Sequence, residues 1–402
     1  MFRHLLKLVW KRKARNLMLS LEILLAFVIV FAVTCFAVRN YQLYQLPIGF
    51  EYRDVWTADI KPAENDYNAG SFDPRVYDQL KRGLEALPEV ERVGFAGGTP
   101  FTRRTMRTEF NLPGNGRRVS ADMAELSDDA FAISGIKVVE GRAFSAEDEG
   151  APGTPVVLNR SMAELLFPGE SAIGRQFTDS EAETKEKRMF KVVGVVEEYR
   201  NQGELMNPVN FILMRFSPLS SKDSVWTVML KVKPGTERMF EAKLSERLKS
   251  IRNDWSYEIS PQDAMRADRL KSALGPLIAM AVVAVFMLVM VAFGLFGVLW
   301  QNTTQRIPEI GLRRALGASA GHIYRQIIAE QMLLSSVAML AALVLLVQLP
   351  LTGAFGDSLG WDVFLLATVL SMAVIYLISL LCSIYPGWRA ARLSPTEALH
   401  YE

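Results

Sequence analysis

Long runs of apolar residues divide the chain into membrane and soluble parts. Three of these runs, at residues 272–305, 331–356 and 363–388, contain no Asp, Glu, Lys or Arg, and a fourth at residues 16–38 contains only Glu22. Each run reaches the ~20 apolar residues that cross a bilayer as a helix. The pattern predicts four transmembrane helices and excludes a purely soluble protein.

The predicted helices leave one large region between the first and the second. We place the helices at residues 16–38, 272–300, 327–350 and 363–385. Ser272 is expected to cap the second helix, and Pro276 then falls in its first turn, where a missing N–H is tolerated. Residues 39–271 form the large domain, and residues 351–362 form a short loop between the third and fourth helices.

The large region alternates strand and helix patterns, which predicts an α+β domain. Residues 51–58 alternate like a strand, residues 73–87 follow a helical pattern after an Asp-Pro start, and residues 90–95 form a second strand. The same order recurs near the far end, with a strand at 225–232, a helix at 238–251 and a strand at 255–259. The repeat predicts two subdomains, in which residues of about 100–220 form one that is inserted into the other.

Basic residues predict the orientation in the membrane. Residues 1–15 carry six Lys or Arg, and their apolar positions fall on one helical face, as in a basic amphipathic helix on the inner membrane surface. The loop at 301–326 has four Arg against one acid, the tail at 386–402 carries Arg389 and Arg392, and the loop at 351–362 has no Lys or Arg. The positive-inside rule therefore places both termini in the cytoplasm and residues 39–271 outside.

Composition and the scarcity of reactive groups exclude several classes of function. With 45 Lys and Arg against 43 Asp and Glu, the formal net charge of +2 offers no basic field for nucleic acid. Two Cys and three His are too few and too scattered for a disulfide framework, a zinc site or a triad. The acidic clusters at 122–129 and 147–149 lack the ligand spacing of a calcium loop. We therefore expect no catalytic and no metal site, and no phosphate loop for ATP.

The loop at 301–326 is the strongest candidate for a functional site. Pro308 and Glu309 suit the first turn of a short helix, Gly317 suits its end, and Ser319 can cap the next helix. Leu312, Ala315 and Leu316 would give this helix an apolar side. Two interpretations remain open: a helix that docks in a groove of a partner protein, or a basic loop that only obeys the positive-inside rule.

Three residues suggest a contact inside the membrane. Glu22 is an ionisable group well inside a predicted span, where it is costly unless it pairs, faces protein or lies at the headgroup level. Gly294 and Gly297 are small residues that permit close helix approach, although their spacing is not the GxxxG of a dimer motif. A contact between paired chains and an ordinary lipid-facing position both remain open.

Three groups of motifs resemble one known family. They are RIPEIGLRRALGAS at 306–319, YPGWRAARLSPTEAL at 385–399, and, in the large domain, EGRAF at 140–144, LFPG at 166–169, IG at 173–174 and VVGVV at 192–196. Together they resemble the FtsX-like permease family and its MacB-type branch, over nearly the whole chain. Pro308, Gly387 and His400 depart from the usual residues of the family.

The resemblance implies a mechanism and a set of partners. Such chains are ABC transporter permeases of the inner membrane that act as dimers, with a second copy or a related permease, above two ATPase subunits that bind ATP and Mg. Here the ATPase would be a separate polypeptide, so this chain would bind no cofactor and would not be an enzyme. The family implies mechanotransmission, and a periplasmic adaptor and an outer-membrane channel as possible further partners besides membrane lipid. The residues implied in coupling to the ATPase are Glu309, Ile310, Gly311, Leu312, Arg313, Arg314, Ala315, Leu316 and Gly317.

Export of drugs, peptides or other periplasmic substrates is the function that the resemblance favours. Two alternatives stay open: a subunit that releases lipoproteins from the membrane, and a regulatory scaffold that activates a cell-wall hydrolase. The scaffold members of the family usually lack the signals at 141–144 and 173–174, which favours export.

Overall fold

A computed structural model describes residues 13–62, 72–102, 105–112, 118–179, 188–221, 224–353 and 356–392. The chain divides into two compact units, a membrane unit of Met1–Gln42 with Leu274–Glu402, and an outer unit of Leu43–Ala273. Most of the predicted amphipathic helix at 1–15 and of the tail at 386–402 lies outside the described residues.

The longest described helices lie towards the two ends of the chain, and the strands lie between them in sequence. The helices are α1 (Lys13–Gln45), α2 (Pro74–Glu85), α3 (Asp128–Ile133), α4 (Arg160–Leu166), α5 (Phe240–Ile251), α6 (Gln262–Gln305), α7 (Ile307–Ala315), α8 (Ala320–Leu346), α9 (Gln348–Thr352) and α10 (Trp361–Arg392). The strands are β1 (Val55–Lys61), β2 (Val90–Gly97), β3 (Met106–Asn111), β4 (Arg118–Leu126), β5 (Val138–Gly141), β6 (Thr154–Asn159), β7 (Gln176–Thr178), β8 (Met189–Val196), β9 (Phe211–Arg215), β10 (Thr227–Val232) and β11 (Ser256–Pro261).

Four of the described helices are long and apolar enough to cross a membrane. They are Leu17–Gln45, Gln262–Gln305, Ala320–Thr352 and Trp361–Arg392, of which the third comprises α8 and the short α9. The α+β domain lies between the first and second of them in the sequence. The predicted fold class, four membrane helices with a large α+β domain after the first, is confirmed.

The second membrane helix begins earlier than predicted. Helix α6 starts at Gln262 and has 44 residues, so Ser272 is not its cap and Pro276 lies in its interior. The charged segment 262–271 belongs to the same helix without a break. The prediction began at residue 272 because hydropathy identifies only the uncharged part of a helix. At 1.5 Å per residue, α6 is roughly 66 Å long, about twice the ~30 Å of a hydrocarbon core.

The eleven described strands of the outer unit form one mixed sheet in the order β11-β1-β10-β2-β4-β9-β6-β8-β5, with β3 on β4 and β7 on β8. Its first four strands are antiparallel to their neighbours, with α2 connecting β1 to β2 and α5 connecting β10 to β11. This is the split β-α-β arrangement of ferredoxin-like folds. Leu80 and Leu84 of α2 and Leu244 and Leu248 of α5 are buried in the core beneath it.

The remaining strands form the inserted subdomain that the repeat predicts. The strands between β2 and β10 in sequence occupy the other end of the sheet, and β2 joins β4 there through the pairs Ala96↔Leu126 and Gly97↔Glu125. A second core cluster includes Ala96 and Met229 from the first subdomain together with residues of the insertion, so the two subdomains share part of their core.

Within the membrane unit, apolar side chains and small polar side chains share the interior. Ile23 and Phe27 of α1 belong to the same buried cluster as Leu295 of α6. Helices α8 and α10 are linked by a buried hydrogen bond between the hydroxyls of Ser335 and Ser379 (2.8 Å). Small polar residues allow helices to approach closely and to bond across the interface in lipid.

Candidate functional site: the coupling helix and the helix ends

Local sequence signals give α7 its boundaries. Pro308 lies in the first turn with Glu309, and the chain leaves the helix at Gly317, whose φ of +94° lies in the left-handed region that glycine adopts freely. Ser319 then caps α8, because its hydroxyl accepts a hydrogen bond from the backbone N–H of His322 at 3.3 Å. These caps agree with the predictions from the sequence.

Helix α7 has a buried face and an exposed apolar face. Ile307, Ile310 and Gly311 are buried, and Ile310 packs in one cluster with Ile323 of α8 and Ala390 of α10. The apolar side predicted from the sequence is the exposed face.

The exposed apolar face of α7 consists of Leu312, Ala315 and Leu316. The exposed fraction is 56% for Leu312 and 81% for Leu316. Residues at i, i+3 and i+4 share one face of a helix, so this unit leaves an uncovered apolar strip on α7.

The charged residues of α7 are held by partners inside the unit. The carboxylate of Glu309 accepts a hydrogen bond from Nη2 of Arg313 at 2.5 Å, and Nη1 of Arg313 donates to Oε1 of Gln326 at 3.1 Å. Nη1 of Arg314 donates to the carbonyl of Ala391 near the end of α10 at 2.5 Å. A guanidinium has five N–H donors, so both arginines keep donors for further acceptors.

A second ion pair supports the start of α7. Nη1 of Arg306 lies 2.5 Å from the carboxylate of Glu330 on α8, and the side-chain amide of Gln326 donates to the same carboxylate at 2.9 Å. Both groups of this pair are largely buried, each with 17% of its side chain exposed. Helix α7 is thus fixed to α8 and α10 along its buried side.

The three residues of the predicted intramembrane contact have different surroundings. Glu22 of α1 and Gly294 of α6 are neighbours within one chain, since a Cβ placed on Gly294 would collide with the Glu22 carboxylate. Gly297 has nothing within 4 Å of such a Cβ among the described residues. A contact between permease chains at these residues stays a prediction.

Sequence reasoning missed Arg200, whose side chain is fully buried in the outer unit. Its Nη1 donates to the carbonyls of Leu43 and Leu46, each at 3.0 Å, and its Nε donates to the carbonyl of Met206, also at 3.0 Å. Helix α1 ends at Gln45, and the Leu43 carbonyl in its last turn accepts from both the Arg200 guanidinium and the backbone N–H of Leu46 at 3.2 Å. A single Arg after a strand carries no pattern that would reveal this role.

The segment 200–206 also bonds to the first turns of α6. The carboxylate of Glu204 lies 2.5 Å from Nε of Arg266, and the side chain of Gln202 accepts a hydrogen bond from Arg269. Phe101, beneath this segment, has a φ of +64° and donates its N–H to the carbonyl of Asn201 at 2.6 Å. Such a conformation is costly for a bulky residue and persists where surrounding contacts enforce it. Residues 200–206 therefore join the outer ends of α1 and α6.

The acidic clusters of the outer domain form ion pairs. The pairs are Asp122 with Arg107 (2.6 Å), Asp128 with Arg215 (2.8 Å) and Asp148 with Arg142 (2.5 Å). Hydrogen bonds from the Arg142 guanidinium lower the pKa of the Asp148 carboxyl, and the backbone N–H of Ser145 adds to this effect. Asp122–Arg107 joins the paired strands β3 and β4, and Asp128–Arg215 joins α3 to β9, so these are structural ion pairs within the domain.

Four candidate membrane helices, an α+β domain after the first, and a short helix that exposes an apolar strip between the second and third define a permease-type membrane protein. Two family models match the chain: a MacB-like periplasmic core domain over residues 18–247 and an FtsX-like permease C-terminal domain over residues 281–395. The chain belongs to this family of ABC transporter permeases with a MacB-like periplasmic core domain. It is a multi-pass inner-membrane protein with a periplasmic domain.

Curated relatives agree with this assignment. The macrolide export ATP-binding/permease protein MacB of Escherichia coli O6:K15:H31 is 25% identical over 426 residues, which cover 100% of this chain and 61% of the relative. The protein of the same name from Aggregatibacter actinomycetemcomitans is 24% identical over 252 residues, covering 61% of this chain and 38% of the relative. The chain thus spans about three fifths of the length of the Escherichia coli relative.

Two solved structures are similar to part of this chain. The periplasmic region of MacB from Actinobacillus actinomycetemcomitans matches with a TM-score of 0.39 and 15% identity, covering 56% of this chain and 97% of that one. The extracellular domain of the noncanonic ABC-type transporter YknZ from Gram-positive bacteria matches with a TM-score of 0.36 and 14% identity, covering 51% of this chain and 99% of that one.

Proposed function

We propose that this chain is the permease subunit of an exporter in which a separate ATPase drives the outer domain by mechanotransmission. Two ATPase subunits bind ATP and Mg²⁺ and act on a pair of permease chains, either two copies of this chain or this chain with a related one. Both termini and α7 lie in the cytoplasm, and the outer unit lies in the periplasm. A periplasmic adaptor and an outer-membrane channel complete the export path.

The continuity of α6 is the observation that carries this proposal. Strand β11 ends at Pro261 and α6 begins at Gln262, so no linker separates the sheet from the helix. At the other end, only Arg306 lies between α6 and α7. A displacement of α7 would be passed along one uninterrupted helix rather than absorbed by a flexible loop.

The exposed strip on α7 supports docking to the ATPase. Leu312, Ala315 and Leu316 present an apolar helix face of the kind that fits into a hydrophobic groove. Arg313 and Arg314 flank this strip and keep N–H donors for acidic residues of a partner. The anchoring of α7 to α8 and α10 means that a force on the strip reaches several helices together.

The proposed cargo rests on the name of the relatives. Their name concerns macrolide export, and we propose drugs, peptides or other periplasmic substrates for this chain. Among the described residues of the outer unit, no contact favours lipoprotein release or activation of a cell-wall hydrolase over export, so these are alternative outcomes of the test.

The test is a purification of the full chain in mild detergent, with its companions identified by mass spectrometry. The wild type should retain an ATPase with an adaptor, and the double variant Leu312→Glu with Leu316→Glu should lose the ATPase. Leu219→Glu, at an exposed leucine of the outer unit, is the matched control and should retain it. A cell-wall hydrolase in place of the adaptor would identify a regulatory scaffold. Absence of any ATPase from the wild type would overturn the proposal.

A further inference from the structure

A ladder of aromatic rings connects α6 and α10 at one end of the membrane unit. The ring of Trp300 lies nearly parallel to that of Tyr385, with an angle of 6° between the planes and 5.9 Å between the centroids. Phe296 stacks on both of these rings, and Trp388 stacks on Tyr385 at 6.2 Å. Phe296, Tyr385 and Trp388 are exposed in this unit. The ladder therefore forms a rigid aromatic surface and is not part of the core.

Two arginines lie on this ladder. The guanidinium carbon of Arg389 is 4.3 Å from the centre of the Trp300 ring, and that of Arg392 is 4.3 Å from the centre of the Trp388 ring. Within the described residues, neither guanidinium forms an ion pair with a carboxylate. Stacking on an indole fixes the plane of a guanidinium and leaves the N–H groups at its edge available. Because Arg389 and Arg392 are three positions apart on α10, the N–H edges of the two guanidiniums lie on the same face of the helix.

The position in the sequence places this face at the depth of the lipid headgroups. The uncharged run of the last span ends at Trp388, and Arg389 follows directly. Trp and Tyr rings concentrate at this boundary in membrane proteins. The charge is also net positive, since residues 301–330 and 385–402 contain six arginines and four acids, Glu309, Glu330, Glu397 and Glu402. Glu309 is already paired with Arg313, and Glu330 with Arg306.

We propose that Arg389 and Arg392, held on the rings of Trp300 and Trp388, form a binding site for the phosphate headgroup of an anionic phospholipid. A guanidinium offers parallel N–H donors that match phosphate oxygens, and two of them three residues apart can hold one headgroup. The aromatic ladder supplies the flat apolar surface against which the glycerol and first methylenes of the lipid lie. This site is independent of the cargo and of the ATPase.

Native mass spectrometry of the purified full chain tests the site. The chain is titrated with phosphatidylglycerol and, separately, with phosphatidylethanolamine. The wild type should retain phosphatidylglycerol in preference, and the double variant Arg389→Gln with Arg392→Gln should retain it about tenfold less, since each basic residue near a membrane surface contributes a several-fold gain in affinity for anionic lipid. Arg325→Gln, at an exposed arginine of α8 outside the ladder, is the control and should behave as wild type.

Further variants separate the site from a general attraction between charges. Trp300→Leu with Trp388→Leu keeps both charges and should still lower phosphatidylglycerol retention, because the guanidiniums lose their fixed orientation. Equal loss in the Arg325→Gln control would overturn the site. Displacement of the lipid by millimolar inorganic phosphate would show that the free anion is the ligand and would also overturn it. Unchanged lipid retention by the double arginine variant, with loss of a co-purifying protein, would identify a protein-docking face instead.

Discussion

The carboxylate of Glu22 on α1 occupies the space that a side chain at Gly294 on α6 would need. The two residues are 272 positions apart, and their proximity explains why a glycine is suited to this point of the second span. An acidic group inside an apolar run is thereby placed against protein backbone. This relationship can be tested apart from any transport assay.

Gly294→Val should lower the thermal stability of the purified full chain, because its side chain collides with the Glu22 carboxylate. The loss should be about 1 kcal/mol, at the lower end for overpacking, since a carboxylate on a flexible stem can rotate away. In a Glu22→Ala background, Gly294→Val should lower the stability by a smaller amount. The difference between the two stability losses measures the coupling between the two positions. Gly297→Val, where no described neighbour lies within 4 Å, is the control. Equal losses in both backgrounds would refute the contact.

Arg200→Met should destabilise the outer unit strongly. The change removes the guanidinium that donates to the carbonyls of Glu204 and Met206, and it leaves both carbonyls without that donor in a largely buried site. Unsatisfied buried polar groups cost about 1–3 kcal/mol each, so a total loss of roughly 3–5 kcal/mol is expected. Limited proteolysis and thermal unfolding of the full chain measure it. Arg238→Met, at an exposed position just before α5, should change stability little. Wild-type protease resistance of the Arg200 variant would contradict the role assigned to it.

Asp148 should contribute to the pH dependence of stability in acid. Its pKa is lower in the folded chain than the ordinary value of 3.8, because Arg142 donates hydrogen bonds to it. A depressed carboxyl pKa stabilises the fold above the unfolded pKa, and this contribution is lost as pH falls from about 3.8 through the lowered folded pKa. Asp148→Asn should therefore show a shallower fall of unfolding temperature below about pH 4 than the wild type.

Patterns with a period could be predicted from the sequence, whereas contacts between distant single residues could not. Uncharged runs identified the four membrane helices, and the repeat of strand, helix and strand identified the split subdomain. The start of α6 was placed ten residues late because its first turns are charged and a hydropathy criterion reads charge as the end of a span. Arg200 leaves no local signal, since its partners at Leu43 and Met206 are brought to it only by the fold.

The side of α7 that would meet a partner could likewise not be predicted from the sequence. The sequence identified Leu312, Ala315 and Leu316 as an apolar strip, but an apolar strip usually predicts burial within the same chain. Burial instead falls on Ile307, Ile310 and Gly311. Which of two apolar faces a short helix buries depends on α8 and α10, so it could not be settled from the nine residues of α7 alone.

Cysteine labelling should establish the orientation of the two units in the membrane. The native Cys35 and Cys382 are first replaced by Ser, and a single cysteine is then introduced by Leu219→Cys or by Leu316→Cys, both at strongly exposed leucines. In intact cells freed of the outer membrane, an impermeant thiol reagent should label position 219 and should reach position 316 only after the membrane is opened. Labelling of position 316 in sealed cells, or protection of position 219, would reverse the predicted topology.

Reversal of charge on α7 should uncouple ATP hydrolysis from transport without unfolding the chain. Glu309 and Arg313 form an exposed pair at i and i+4, which contributes only about 0.3–0.5 kcal/mol, so Glu309→Lys or Arg313→Glu should leave insertion and stability nearly unchanged. Transport, and stimulation of the ATPase by this chain, should fall in both single variants because each alters the charges next to the strip of Leu312 and Leu316. The swapped double variant, Glu309→Arg with Arg313→Glu, restores the internal pair but reverses both charges that a partner meets. If the swap recovers transport, the pair acts by holding α7 in shape; if transport stays lost while stability is normal, the individual charges contact the ATPase. Normal transport by both single variants would show that these two charges are not needed for coupling.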